Sequence, residues 1–154
     1  MPAADRLILL RHARAGKQVR DPAKDFRRPL DRQGRQVAQA LPDLITSYLD
    51  PEMILSSPFR RCVETVEPLA DALGFGVFED EGFTPGRSRR ALRKAFSEVA
   101  ANSVVCTHGE VIAALLKDSA GCAKGAFWVV ERRGDTFIPS QYVEAPSSTR
   151  QSVR

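Results

Sequence analysis

Three short apolar runs, each stopped abruptly by polar residues, restrict this chain to one broad class of fold. They are Leu7-Ile8-Leu9-Leu10, Met53-Ile54-Leu55 and Val104-Val105-Cys106. Apolar runs this short, without alternation, read as strands buried on both faces, as in parallel sheets. Between them lie stretches with apolar residues at helical spacing. That order implies an α/β fold: a three-layer α/β/α sandwich with a mostly parallel central sheet. Such sheets bind ligands outside the carboxyl ends of their strands. The only two histidines stand at such ends, in Arg11-His12 and Thr107-His108-Gly109. Two strand-end imidazoles and a strand-end guanidinium point to one cationic pocket holding a nucleophile.

The segment from Ala13 to Arg32 is polar, contains Pro22 and Pro29, and reads as a long loop over the site. A helix starting near Asp31 or Gly34 carries Val37, Leu41, Leu44, Ile45 and Tyr48, with Pro42 expected to kink or divide it. A second helix, from about Phe59 to Leu73, is interrupted in the same way by Pro68. A short strand leads to Glu79-Asp80-Glu81, and Ser88 to Val99 reads as a helix with Leu92, Phe96 and Val99 inward. Gly109 to Lys117 is the last helix, and Phe127–Val130 with Thr136–Ile138 form a hairpin at a sheet edge. The chain reads as a single domain, 1–154, with a tail that frays after about residue 144.

At 154 residues the chain is long enough for a substantial core without staples. No apolar run reaches the roughly 20 residues that span a bilayer. The N-terminal residues do not pair a basic region with a long apolar segment, so no secretory signal is expected. Cys62, Cys106 and Cys122 show no paired or metal-ligand spacing, which fits reduced thiols in a cytoplasmic protein. The net charge of +4 is spread widely. Its densest cluster, Arg87 to Lys94, lacks interleaved aromatics and reads as a solvated helix face, so specific nucleic-acid binding is not expected. The oligomeric state is left open.

The strongest stretches are Leu10-Arg11-His12-Ala13, Ser57-Pro58-Phe59-Arg60-Arg61-Cys62-Val63-Glu64-Thr65 and Thr107-His108-Gly109. With these at strand ends, the chain resembles the histidine phosphatase superfamily, which has a phosphoglycerate-mutase-like fold. The likeness runs from about Arg6 through the final hairpin. It is closer to the compact phosphohistidine-phosphatase branch, given the short chain and Lys24-Asp25-Phe26-Arg27-Arg28-Pro29-Leu30 before the second helical segment. The chain also resembles the phosphatase domain attached to some actinobacterial MutT-type nucleotide hydrolases. Ala13 stands where the signature has glycine. Gln18 stands where mutase-type members carry asparagine, so that phosphate contact is open.

The resemblance implies His12 as nucleophile, Arg11 and Arg61 as phosphate-binding residues, and His108 as a donor to the transferring phosphoryl oxygens. The residue types suit those roles. Guanidinium groups grip phosphate oxygens in pairs, and a neutral imidazole can attack phosphorus to give a phosphohistidine that water then cleaves. His108 is expected to donate either as neutral imidazole or as imidazolium, assisted by the N-terminus of the helix starting near Gly109. No metal and no cofactor are called for. Glu81 matches the family's carboxylate acid, with Glu79 next; on an extended segment the two would share a side. Glu81 is alternatively a surface carboxylate. Ser57 either binds phosphate or caps the next helix. Arg14, Lys17, Arg20, Arg27 and Arg28 either line a cationic entrance or solvate the loop, with one or two expected to meet substrate.

The expected function is hydrolysis of phosphohistidine or a small phosphomonoester through a covalent intermediate on His12. The expected partner is a phosphorylated small molecule or a phosphohistidine protein. A nucleotide-directed phosphatase is the alternative within the same chemistry. A phosphate- or phosphohistidine-binding module without turnover is the alternative outside it.

Overall fold

The computed structural model describes residues 5–116 and 121–147. Six strands form one sheet in the order β3-β2-β4-β1-β5-β6. They are β1 (Arg6–Arg11), β2 (Met53–Ser56), β3 (Val77–Glu79), β4 (Ser103–Thr107), β5 (Phe127–Arg133) and β6 (Thr136–Val143). The first four run parallel, while β5 and β6 pair antiparallel at one side. Helices α1 (Pro22–Phe26), α2 (Arg32–Thr46), α3 (Arg60–Leu73), α4 (Arg89–Ser97) and α5 (Gly109–Leu116) connect them.

The unbroken apolar run of β1 is explained by the layers on either side. Leu7 and Leu9 join one core with Phe83, Leu92, Phe96 and Val111, from the side of α4 and α5. Ile8 and Leu10 join a second core with Leu41, Ile45, Val66 and Leu69 of α2 and α3. All four β1 side chains are fully buried. This is the three-layer sandwich expected from the sequence.

Both prolines expected to break helices lie within continuous ones. Pro42 sits inside α2 and Pro68 inside α3. Each removes one ladder hydrogen bond, but its neighbours Leu41, Ile45, Val66 and Leu69 are fully buried, so packing holds both helices. The long loop also contains a helix that apolar periodicity does not reveal, because α1 buries no residue. Its signal is Asp21-Pro22, a cap followed by proline at the first helical position, and Asp21 accepts from the Ala23 N–H at 3.0 Å. The fraying expected beyond about 144 falls partly on residues 148–154, outside the described residues. Among the described residues, no helix is long and apolar enough to cross a membrane.

Candidate active site

Strand order brings the two histidines together. β4 lies beside β1 in parallel, with Leu10 opposite Cys106 and Arg11 opposite Thr107. The next residue along each strand is therefore a histidine. The His12 N–H donates to the Thr107 carbonyl at 3.1 Å, extending the ladder by one bond. The ring centroids lie 5.5 Å apart at an interplanar angle of 67°. Arg11, His12, Arg61 and His108 line one cavity of about 370 Å³. Ala15, Gly16, Gln18 and Arg28 from the loop, Gly109 and Glu110 from α5, and Lys124 complete its wall.

Local bonding prepares His12 as a nucleophile. Its Nδ1 lies 2.8 Å from the Ala13 carbonyl, which can only accept, so Nδ1 carries the proton and Nε2 keeps its lone pair. Burial, followed by the nearby Arg61, Arg11 and Lys124 charges, lowers its pKa to about 4 against the backbone bond that opposes the shift. The ring is neutral at pH 7. Thr65 on α3 fixes the turn: the Ala13 N–H donates to its hydroxyl at 3.0 Å, and that hydroxyl donates to the Arg61 carbonyl at 2.6 Å.

His108 is held in its neutral form. Burial first, then His12, Arg61 and Arg11, push its pKa down to about 3. A phosphate dianion between these groups would raise it, because an adjacent anion favours the protonated ring. Ser57 Oγ shares a hydrogen bond with His108 Nε2 at 2.9 Å. Ser57 is fully buried and does not line the cavity, and Phe59, not Ser57, occupies the N-cap position of α3. Its place is behind His108. The Phe59 ring packs edge-on against His108 at 4.8 Å, and the Arg61 guanidinium carbon lies 4.9 Å from the same ring's centroid.

The two guanidiniums are held by distant segments. Arg11 Nη1 donates to the Cys122 carbonyl at 2.8 Å. The segment carrying Cys122 is tied to the hairpin: Trp128 Nε1 donates to the Gly121 carbonyl at 3.3 Å, and the Ala123 N–H donates to the Tyr142 hydroxyl at 3.0 Å. Gly109 leaves room for Arg11, since a Cβ there would lie 3.0 Å from the guanidinium carbon. Arg61 Nη1 donates to the Asp25 carbonyl at 2.9 Å and faces the Asp25 carboxylate at 3.4 Å. Asp25 also pairs with Arg28 at 3.0 Å, and Arg28 donates to the Ala15 carbonyl at 3.1 Å. The buried Nε–H groups of both Arg11 and Arg61 have no hydrogen-bond partner among the described residues. Both arginines line the cavity, and two guanidinium forks on one wall suit a tetrahedral oxyanion.

The remaining sequence candidates divide. Gln18 lines the cavity, as does Arg28 from the basic loop. Arg14 points elsewhere, paired with Asp31 at 2.9 Å and bonded to Gln33. Glu79 and Glu81 are exposed and neither lines the cavity. Asp80 is still extended and caps a 3-10 turn, Glu81–Phe83, accepting from the Gly82 N–H at 2.7 Å. Sequence reading did not single out Asp25, Phe59, Thr65, Lys124 or Glu110. Asp25 lay within a quoted stretch, and Glu110 stands two residues beyond a histidine already chosen. Among the described residues, no group of three or more His, Cys, Asp or Glu side chains is placed to hold a metal ion.

Known proteins share this architecture. The structure of the protein histidine phosphatase SixA complexed with tungstate superposes with a TM-score of 0.71 at 20% identity, covering 90% of this chain and 96% of that one. A mycobacterial glucosyl-3-phosphoglycerate phosphatase solved with VO3 gives a TM-score of 0.74 at 20% identity, covering 92% of this chain and 100% of that one. In sequence, the chain is 28% identical over 156 aligned positions to an 8-oxo-(d)GTP phosphatase of Mycolicibacterium smegmatis. That match covers 91% of this chain but only 48% of the relative, so the chain spans about half the relative's length. Residues 7–85, half of the chain, match the Histidine phosphatase superfamily (branch 1). With Arg11, His12 and Arg61 inside the matched region and His108 brought against them by β4, the chain belongs to the histidine phosphatase superfamily.

Proposed function

We propose that this chain is a phosphatase working through a covalent phosphohistidine on His12. The observation that carries the proposal is the state of that ring. Nδ1–H is committed to the Ala13 carbonyl, Nε2 is free of a proton, and Arg11 and Arg61 line the same cavity as the ring. A phosphoryl group gripped by Arg11 and Arg61 would have its negative charge offset, letting Nε2 attack phosphorus in line. The P–Nε2 bond forms as the bond to the leaving group breaks. Water then cleaves P–Nε2 and returns the electron pair to His12. His108 supplies a donor to the equatorial oxygens as charge builds on them, with Ser57 fixing its ring.

The cavity's size and charge support a substrate class. About 370 Å³ holds a phosphoryl group and a small part of what carries it. Phosphohistidine and small phosphomonoesters fit that description. A nucleotide substrate is the second reading, favoured by the relative's action on 8-oxo-(d)GTP and by Lys124 and Arg28 beyond the phosphoryl-binding pair.

Rapid acid or alkali quench with 32P-labelled phosphohistidine peptide, nucleotides and sugar phosphates tests the proposal. The expected result is acid-labile, alkali-stable label on His12 with at least one substrate class, absent in His12→Ala. Turnover by His12→Ala near the parent rate would refute the mechanism. Tight phosphate binding without turnover on any class would establish the binding module instead.

A further inference from the structure

Resting on that reading, the mechanism leaves one step without an agent: something must take a proton from the water that cleaves the phosphohistidine. We infer that Glu110 is the general base of that step. The lining of the cavity supports this by elimination. Arg11, Arg28, Arg61 and Lys124 are cations and cannot accept a proton in their charged forms, while Gln18 has no basic atom. His12 is itself the leaving group. His108 shares Nε2 with Ser57 and is already engaged as the donor to the phosphoryl oxygens. Glu110 is the single carboxylate residue among the lining residues.

Position supports the same assignment. Glu110 lies in the first turn of α5, where the helix N-terminus favours negative charge. It is exposed, whereas His12 and His108 are buried. Glu110 therefore joins the cavity lining from a solvent-accessible position. It makes no hydrogen bond or ion pair with the described residues, so nothing must be broken for it to act. Glu81 does not line this cavity.

The step balances. A water oxygen bonds to phosphorus, the P–Nε2 bond breaks with its electron pair returning to Nε2, and the water's proton goes to the Glu110 carboxylate. Orthophosphate leaves and the carboxyl group then gives its proton to solvent. The first displacement needs nothing from Glu110 when the leaving group departs without a proton, as p-nitrophenolate does.

Stopped-flow hydrolysis of p-nitrophenyl phosphate by the parent and Glu110→Gln, with acid-labile phosphate measured in parallel, separates the two steps. In Glu110→Gln the steady-state rate should fall about 100-fold, within the usual range for a general base. The initial p-nitrophenolate burst should keep its rate constant, and phosphoenzyme should rise toward one per site. A steady-state rate within twofold of the parent would overturn the inference, as would slowing of the burst itself. If the parent turns over but never forms acid-labile phosphate, the covalent reading fails and this inference with it. Phosphoenzyme in the parent with no effect of Glu110→Gln sinks the inference alone.

Discussion

Holding two neutral imidazoles among cations makes folding stability depend on pH in a range where little else titrates. An unfolded histidine has a pKa near 6.5, whereas folded His12 is lowered to about 4 and His108 to about 3. Between those values and 6.5 the unfolded chain binds protons that the folded chain refuses. Stability therefore rises with pH across that window, is complete above about 6.5, and is lost as pH falls. From pH 8 to pH 5.5, linkage gives about 1.4 kcal/mol for one histidine with so low a folded pKa. Two such groups approach twice that, roughly 3 kcal/mol. Most carboxylates stay ionised down to pH 5.5, so the histidines dominate the change. Urea unfolding of the parent at constant ionic strength, in steps from pH 8 to 5.5, should show it. His12→Gln should lose about half the slope, and His12→Gln/His108→Gln nearly all of it. A parent stability flat across the range, or a double variant with the parent's slope, would refute the burial argument.

Gly34→Ala poses two opposed effects. Alanine should gain about 1 kcal/mol as the better helix former. However, its Cβ would lie only 2.0 Å from the Arg14 carbonyl oxygen, which also accepts from the Asp31 N–H. Overpacking against backbone wins, so urea unfolding should show a net loss of roughly 2 kcal/mol; a gain would disprove the close approach. Arg61→Lys keeps the charge but loses the planar fork that reaches Asp25 and lines the cavity. On p-nitrophenyl phosphate, kcat/KM should fall about 100-fold, as for loss of one transition-state donor. A change below threefold would show that charge alone suffices.

The parts of the fold that depend on the chain's own neighbours were legible in the sequence. The strand runs, the α2 and α3 apolar faces and the final hairpin all appear where periodicity places them. The histidine pair was legible because topology alone puts successive strand ends at one edge. What escaped was set by contacts across long separations or by polar local signals. Pro42 and Pro68 look like breakers until the buried leucines and valines around them are seen to hold the helices. Helix α1 buries nothing, so only its Asp21-Pro22 start could reveal it. Glu81 opens a 3-10 turn capped by Asp80 and does not line the cavity, a placement that strand alternation does not reveal. Glu110 was overlooked because a carboxylate in a helix's first turn is ordinarily explained by the dipole alone.

The same register that joins the histidines also explains why the arginines need outside support. Arg11 ends β1, and an unsupported side chain there would have many rotamers; the Cys122 carbonyl and the bare Cα of Gly109 select among them. Arg61 is the second residue of α3, in its first turn, and is held by Asp25 of α1. Each guanidinium is therefore held through Nη1 to a backbone carbonyl and keeps Nε–H unsatisfied. Fixing one end of the fork confines the side chain before an anion arrives, which lowers the entropy lost on binding. The carbonyl partners come from distant segments, one tied to the β5–β6 hairpin and one in α1. The anion site therefore depends on contacts between residues far apart in the chain, Arg11 with Cys122 and Arg61 with Asp25.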